Sequence, residues 1–486
     1  MYNNYRVILR IIASILLFEG VAMFIPLIYA IVTDDPSAPA FFLPALTCLC
    51  IGLIIQTQLQ YHTLKIRQRE SYLIAFVCWI TVSVMGTFPY LMAGCGYSLT
   101  DCIFESVSGW TTTGAWTVDI SAMPKALLLW KAITNWLGGM GLLLLTMSFF
   151  PVLGVEGQKM VNAEMPGVDK EKFAARSSDA AKIAYAIYVV MSVLEAILLT
   201  LSGLDPFTAI VNTMSSISTS GLLPVNGVNV VAISPLITAI LTVSTLFGAV
   251  NFTVYFLIYK RKWQAIAKNT EVRVFLMTLT TVSIVIGASL YHGGYYQGFM
   301  EAWGTAFVQT VAFGATTGFE IANINSWPGI AKMLLICVLI IGGCSNSTSG
   351  SIKVIRFIVF IKLIKRGIYK RIHPRAVKPV MFQGKPISAS SVSSITVFLM
   401  LYFLVFLFGS LVFSLENLDM ETTFCTTLAC ITNNGTAFGD VVGGNFSILS
   451  NFSKLFSAML MIAGRLEMYA IILLFSRSFW NPNRAR

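Results

Sequence analysis

Apolar and polar residues alternate along this chain in long blocks, not at the short periods of soluble helices or strands. Ten apolar spans bounded by charges, Gly or Pro can be traced. They are Val7–Ile31, Phe41–Ile55, Tyr72–Leu91, Leu127–Phe150, Ile183–Leu201, Pro235–Tyr259, Val274–Tyr291, Ile330–Ile364, Val392–Phe413 and Leu455–Phe475. Apolar runs of about 20 residues suffice to cross a bilayer, so these spans predict membrane helices. The second is short, and the eighth is long and interrupted. Between the later spans lie half-length apolar segments, each leading into a Thr/Ser/Asn run closed by a glycine. These stretches read GWTTTGAW, ISTSGLL, GATTGFE and ITNNGTA, with glycines at Gly114, Gly221, Gly318 and Gly435, spaced 107, 97 and 117 residues apart. A near-constant period marks a repeat. The predicted fold is all-α and integral to the membrane. Four helix–half-helix–loop–helix repeats surround a pseudo-fourfold pore, over residues 70–176, 177–270, 271–386 and 387–486, with an extra two-span pair at 1–69.

The half-segments open with helix-start residues: Thr100-Asp101, Asp205-Pro206, and Asp419 with Glu421. The third, near Gln297–Glu301, starts more weakly. About 12 residues of helix cover about 18 Å, which reaches only the midplane of a hydrocarbon layer about 30 Å thick. Their partly negative C-terminal ends then face a central cavity, which favours a cation. Extended backbone at that depth is tolerated where it lines a wet cavity, and carbonyls there replace a cation's water shell. The candidate ion-lining residues are Thr112, Thr113 and Gly114; Thr219, Ser220 and Gly221; Thr316, Thr317 and Gly318; and Asn433, Asn434 and Gly435. A single S/T-x-G is an ordinary helix-ending glycine; four in register behind half-helices are not. Each loop carries one glycine and lacks the TVGYG run of tetrameric potassium channels, so the carbonyl stack is expected to be shorter and selectivity looser.

Composition narrows the class. The 486 residues are 56% hydrophobic and 11% charged, with mean hydropathy +0.76, against about 25% charged in soluble domains. The net charge of +11 raises nucleic acid as a partner, but its distribution argues against it. Of 33 Lys/Arg, 28 fall at the ends of spans on one side, so the positive-inside rule places both termini in the cytoplasm. The four glycine stretches then all fall outside. The loop from Gly154 to Asp179 reads as a polar cytoplasmic feature. Arg6 and Arg10 lead into an apolar run too long for a cleavable signal core. The nine cysteines show no zinc spacing, and the three histidines (His62, His292, His373) lie far apart. With no cluster of acids or histidines, an enzyme is not expected.

Two features lie just inward of the loops. Span 8 is broken by Gly342-Gly343-Cys344-Ser345-Asn346-Ser347-Thr348-Ser349-Gly350-Ser351, and span 10 carries Arg465 at a similar depth. An arginine there costs about 2.5–3.5 kcal/mol on insertion scales, and intramembrane charge is functional by default. One reading makes Arg465 a positive barrier beneath the loops, with the polar break as a movable gate; the other pairs it with Glu467 or with loose carbonyls for structure. Glu19 and Glu195 either pair with polar neighbours or serve as coupling groups. Lys131, beside Asn135 and the glycines of Trp136–Gly141, is expected to brace the first loop, with Glu105 as its candidate partner.

These residues resemble the Trk/Ktr/HKT superfamily of potassium transporters, and within it the bacterial Trk potassium-uptake pore subunits. The resemblance rests on DCIFESVSGWTTTGAW, NTMSSISTSG, VAFGATTGF, ITNNGTAFG, IGGCSNSTSGSIK and AGRLEMY, in order along the whole chain, and on the extra N-terminal pair. It implies that Thr112–Gly114, Thr219–Gly221, Thr316–Gly318 and Asn433–Gly435 line a K+ path, with Gly342–Ser351 as intramembrane gating loop and Arg465 as its basic companion. In the plant branch, serine in place of the first filter glycine goes with sodium; Gly114 favours potassium. It further implies a homodimer in the bacterial inner membrane, assembled on a cytosolic nucleotide-binding regulatory ring of the TrkA kind. No G-x-G-x-x-G follows a strand in this chain, so no nucleotide cofactor is expected on it. The expected function is gated K+ uptake, with a K+ symporter coupled to H+ or Na+ as the alternative. The basic stretch Lys353–Lys385 suits either anionic membrane lipid or the ring.

Overall fold

A computed structural model describes residues 5–59, 68–141, 177–224, 234–376, 378–475 and 479. The inner end of predicted span 4, residues 154–176 of the polar loop, and the basic residues Lys65, Arg67, Lys159, Lys170, Lys172, Arg176, Arg477, Arg484 and Arg486 lie outside them. The N-terminal pair is α1 (Tyr5–Val32) and α2 (Ala38–Gln58). They pack closely where Gly20 faces the Ala45 carbonyl, 3.1 Å from where a β-carbon would stand. Asp35 in their turn accepts from Ser37 N–H (2.9 Å) and from Ala126 N–H (3.3 Å), tying the pair to the next bundle.

The first group of helices after this pair runs α3 (Gln68–Met85), α4 (Phe88–Met92), α5 (Leu99–Trp110) and α6 (Lys125–Gly139). The second is α7 (Ser177–Leu201), α8 (Pro206–Ile217), α9 (Pro235–Ala249) and α10 (Phe252–Tyr259), followed by the short α11 (Trp263–Ala267). Next come α12 (Thr270–His292), α13 (Phe299–Gly314), α14 (Gly329–Ile341) and α15 (Val354–Ile372). A two-residue hairpin, β1 (Met381–Phe382) with β2 (Lys385–Pro386), leads into α16 (Ala389–Phe413), α17 (Met420–Ile431), α18 (Asn451–Arg465) and α19 (Tyr469–Phe475). Six of the described helices are long and apolar enough to cross a membrane, or seven if α9 and α10 count as one span. The chain is therefore a multi-pass membrane protein.

The four half-helices are α5, α8, α13 and α17, and each ends four residues before its glycine. Three are 12 residues long as expected; α13 runs to 16. The caps match their chemistry. Ser98 accepts from Asp101 N–H (3.2 Å), one step earlier than the expected Thr100-Asp101 start, and Asp205 accepts from Thr208 N–H (3.0 Å) ahead of Pro206. Asp419 accepts from Glu421 N–H (3.2 Å) and Thr422 N–H (3.3 Å). Gly298 before α13 offers no side-chain cap, in line with its weak sequence signal. Glu416 joins the end of α16 to α18 by accepting from Ser450 N–H (3.3 Å) and Ser453 Oγ (2.5 Å).

Two spans expected to be continuous are broken. Span 6 turns by 94° between α9 and α10. Its freed carbonyls are not left bare: Ala249 O accepts from Cys344 N–H (3.0 Å) and Gly248 O from Thr348 N–H (3.1 Å), while Asn251 caps α10 through Thr253 N–H (2.9 Å). Span 10 stops at Arg465, where Glu467 and Met468 take φ of 53° and 62° and end α18. Irregular backbone in lipid needs such partners.

The close approach of α6 to the first loop gives a direct test. A β-carbon on Gly138 would lie 1.9 Å from the Trp110 carbonyl oxygen, whereas one on Gly304 meets nothing within 4 Å. Gly138→Ala is therefore expected to lower the thermal midpoint and folded yield in detergent. Gly304→Ala, in an exposed turn of α13, should be neutral or stabilising by up to about 1 kcal/mol.

Candidate ion-conduction site

The geometry of the four loops begins with their glycines, all at positive φ: 74° at Gly114, 98° at Gly221, 74° at Gly318 and 73° at Gly435. A β-carbon on Gly114 would stand 1.7 Å from the Ser220 carbonyl oxygen. On Gly221 it would be 3.4 Å from that of Thr317, on Gly318 2.0 Å from that of Asn434, and on Gly435 2.0 Å from that of Thr113. The contacts run from loop one to two, three, four and back to one, closing a ring. At three of the four joints only glycine lets the neighbouring backbone approach this closely.

Two residues before each glycine the chain again turns left-handed, at Thr112 (57°), Thr219 (56°), Thr316 (54°) and Asn433 (53°). For β-branched threonine this is an outlying conformation; asparagine adopts it more readily, which accounts for the departure of the fourth loop. The loops are held by their own half-helices. Thr113 and Gly114 N–H donate to Ser108 O (2.9 and 3.4 Å), Ser220 N–H to Ser215 O (2.9 Å), Thr317 and Gly318 N–H to Ala312 O (2.8 and 3.2 Å), and Asn434 and Gly435 N–H to Ala429 O (3.1 and 3.3 Å). The loop N–H groups are thus turned back toward the half-helices. Among the described residues none donates to the carbonyls of Thr113, Ser220, Thr317 or Asn434. In the fourth loop Asn433 donates to Thr113 Oγ1 (3.1 Å) and Met461 O (2.9 Å), binding loop four to loop one and to α18.

Lys131 and Glu105 meet behind the first loop. Lys131 and Glu105 form a fully buried ion pair; Lys131 also donates to Ala115 O (3.1 Å), and Glu105 accepts from Thr117 N–H (2.7 Å). Glu105 stands nine residues before Gly114, and the same offset holds braces that the sequence reading did not single out. Asn212 accepts from Leu223 N–H (3.1 Å) and donates to its carbonyl (3.2 Å), and Gln309 accepts from Ile321 N–H (3.4 Å) and donates to Phe319 O (3.1 Å). The fourth counterpart is Thr426, which bonds only to Thr422 within its own helix (2.7 Å). Glu320 from the third loop serves instead, accepting from Thr436 Oγ1 (2.7 Å) and Gly443 N–H (2.8 Å). The nine-residue offset is legible in sequence once the glycines are aligned; the cross-loop role of Glu320 is not.

The break between α14 and α15 lies directly against this ring. Thr348 Oγ1 donates to Gly248 O (3.0 Å) and Ile217 O (3.2 Å), Gly350 N–H donates to Thr316 Oγ1 (2.7 Å), and a β-carbon on Gly350 would be 2.0 Å from Thr432 O. Gly342, Gly343, Ser345, Asn346, Ser347 and Ser349 complete the segment, with Ser347 donating to Cys344 O (2.5 Å). Arg465 reaches it from α18, donating to Thr348 O (3.0 Å), to Gly139 O (2.9 Å) and to Gly138 O. The sequence reading left open a structural pairing of Arg465 with Glu467 or with loose carbonyls, and the bonds of Arg465 to Thr348 O, Gly139 O and Gly138 O are of the second kind. In the structure Glu467 pairs with Arg356 instead, because the left-handed turn after α18 carries it toward α15. Glu195 is buried and accepts from Ser216 of α8. Glu19 is buried in α1, with no partner among the described residues.

Comparisons with known proteins agree along the whole chain. The family model TrkH, described as cation transport protein, matches residues 37–482. The Trk system potassium uptake protein TrkH of Escherichia coli K12 is 30% identical over 481 residues, covering 98% of this chain and 99% of that protein. The Trk system potassium uptake protein TrkG of the same organism is also 30% identical, over 482 residues, with the same coverage. The crystal structure of the potassium transporter TrkH from Vibrio parahaemolyticus superposes with a TM-score of 0.88 at 28% identity, covering 99% of this chain and 100% of that one.

The buried pair offers the sharpest test of the brace. Removing one partner of a buried ion pair typically costs about 3–5 kcal/mol because the other is stranded. Glu105→Gln and Lys131→Met should each lower the thermal midpoint strongly, and the double variant should lose less than the two together. Additive losses would show that the pair does not act as a unit.

Proposed function

The chain belongs to the TrkH cation transport family, whose members are potassium uptake transporters and not enzymes, and from that premise we propose that it is a gated, channel-like conduit for K+ uptake. The observation that carries this reading is the closed ring of four glycine loops, each with a carbonyl unclaimed by any described donor. Potassium is the transported substrate. Thr112, Thr113, Gly114, Thr219, Ser220, Gly221, Thr316, Thr317, Gly318, Asn433, Asn434 and Gly435 line its path, where loop carbonyls replace the ion's water. The four half-helices add their negative ends at the same place. Gly114, where a serine in the plant branch goes with sodium, supports potassium.

The segment Gly342–Ser351 is the inner gate and Arg465 its electrostatic companion. A guanidinium just inward of the ring raises the energy of a passing cation, and its bonds to Thr348 O and to the α6 carbonyls hold that charge in place. Glu105 and Lys131 keep the first filter loop rigid. The full assembly is a homodimer in the inner membrane, with both termini cytoplasmic and a cytosolic nucleotide-binding ring bound on the basic side. The distribution of 28 Lys/Arg on that side supports the orientation.

Purified protein in vesicles, with rubidium as tracer, tests the substrate and the barrier. Rubidium uptake should be competed by potassium and weakly by sodium; a strong sodium preference would overturn the potassium assignment. A barrier of about 1.4 kcal/mol slows passage about tenfold, so Arg465→Ala should raise basal uptake by up to about that factor or weaken regulation. Addition of the cytosolic partner with ATP or NADH should change the rate; unchanged uptake under an imposed proton or sodium gradient separates gated flow from coupled transport.

A further inference from the structure

The segment between α14 and α15 carries three non-glycine residues in the left-handed region: Asn346 (φ 51°), Ser351 (68°) and Lys353 (80°). Such backbone persists only where its surroundings over-determine it. On the ring side the ties are those of Thr348, Gly350 and Arg465. On the opposite, basic side they converge on one carboxylate, Glu271, in the first turn of α12.

Glu271 is 2% exposed. Its Oε1 accepts from Ser345 N–H (2.5 Å), and its Oε2 accepts from Ser345 Oγ (2.8 Å) and Asn251 Nδ2 (3.3 Å). Asn251 Nδ2 also reaches Ser345 Oγ (3.2 Å), and Asn346 O accepts from Phe252 N–H (3.0 Å). Among the described residues Glu271 is the only carboxylate bonded to the segment. Three donors thus converge on its two oxygens. The same residue opens α12, where Asn269 caps Glu271 N–H (3.1 Å) and Val272 N–H (3.4 Å). Immediately before it runs the exposed basic stretch Lys260, Arg261, Lys262 and Lys268, through α11. A displacement of that stretch moves the N-terminus of α12, and with it the carboxylate that holds Ser345.

We propose that Glu271 is the latch of the inner segment: it positions Ser345, with Asn251 as its second anchor, and couples the segment to the basic surface around α11. The bend between α9 and α10 serves this device, since it is the turn that brings Asn251 to the carboxylate. This rests on the reading of Gly342–Ser351 as the gate, and the two ideas fail separately. Glu271 acts through the segment and touches no ion in transit.

Cys344 provides an internal reporter, a free thiol with no exposure, next to Ser345. Full-length protein in vesicles is treated with a small thiol reagent, labelling at Cys344 is read by peptide mass spectrometry, and rubidium uptake is measured in parallel. Glu271→Gln turns an acceptor into a donor facing Ser345 Oγ and Asn251 Nδ2. It should raise both Cys344 labelling and basal uptake severalfold while leaving the rubidium-to-sodium ratio unchanged. Ser345→Ala, which keeps the backbone bond, should do the same more weakly and add little to Glu271→Gln; it also serves if the glutamine variant does not fold. Unchanged Cys344 labelling in folded variants overturns the latch, whatever uptake does. Increased labelling with unchanged uptake keeps the latch and overturns the gate.

Discussion

The structure depends on one close contact made four times: the backbone of one loop pressed against the glycine of the next. With β-carbon positions only 1.7–2.0 Å from a neighbouring carbonyl oxygen at three joints, no other residue fits there without moving the loops apart. The ring in turn requires each loop to return its N–H groups to its own half-helix, and it does so by the same backward pattern in all four. That leaves the loop carbonyls without a described donor, so the ring is shaped by backbone rather than by side-chain charge.

Polar side chains are buried behind the four loops, and their partners differ from loop to loop. Glu105 with Lys131, Asn212 and Gln309 share one position, while the fourth repeat borrows Glu320 from the third. The pair Glu105–Lys131 brings charge into a region where an unpaired carboxylate or ammonium would be costly, so its two members are coupled. The fourth loop departs further, with Asn433 fitting the left-handed turn and reaching across to loop one and α18.

Beneath the ring, broken helices supply what a continuous span cannot. The 94° turn between α9 and α10 and the stop after Arg465 each free backbone groups. The segment between α14 and α15 takes up the carbonyls of Gly248 and Ala249, and Arg465 spans from this segment to the end of α6. The strain in Asn346, Ser351 and Lys353 is balanced between Arg465 on one side and Glu271 on the other. The segment is held by a small number of identifiable ties.

The amino-acid sequence by itself determined the class of the protein, the positions of its four glycine loops and the short helices before them, because hydrophobic length, caps and glycine are local signals. It also located the Glu105–Lys131 pair, the polar break at Gly342–Ser351 and Arg465, since charge and small polar residues stand out against an apolar background. Span 6 and span 10 read as continuous because nothing in their apolar composition marks a bend that exists only where another segment claims the freed carbonyls. For the same reason the partner of Glu467 was settled by the turn that follows α18, not by its neighbour two residues away. Glu320 and Glu271 were invisible as site residues because their donors lie 116 and 74 residues distant at Thr436 and Ser345. Only the tertiary structure decided those contacts, because a hydrogen bond between distant segments leaves no periodic trace in either of them.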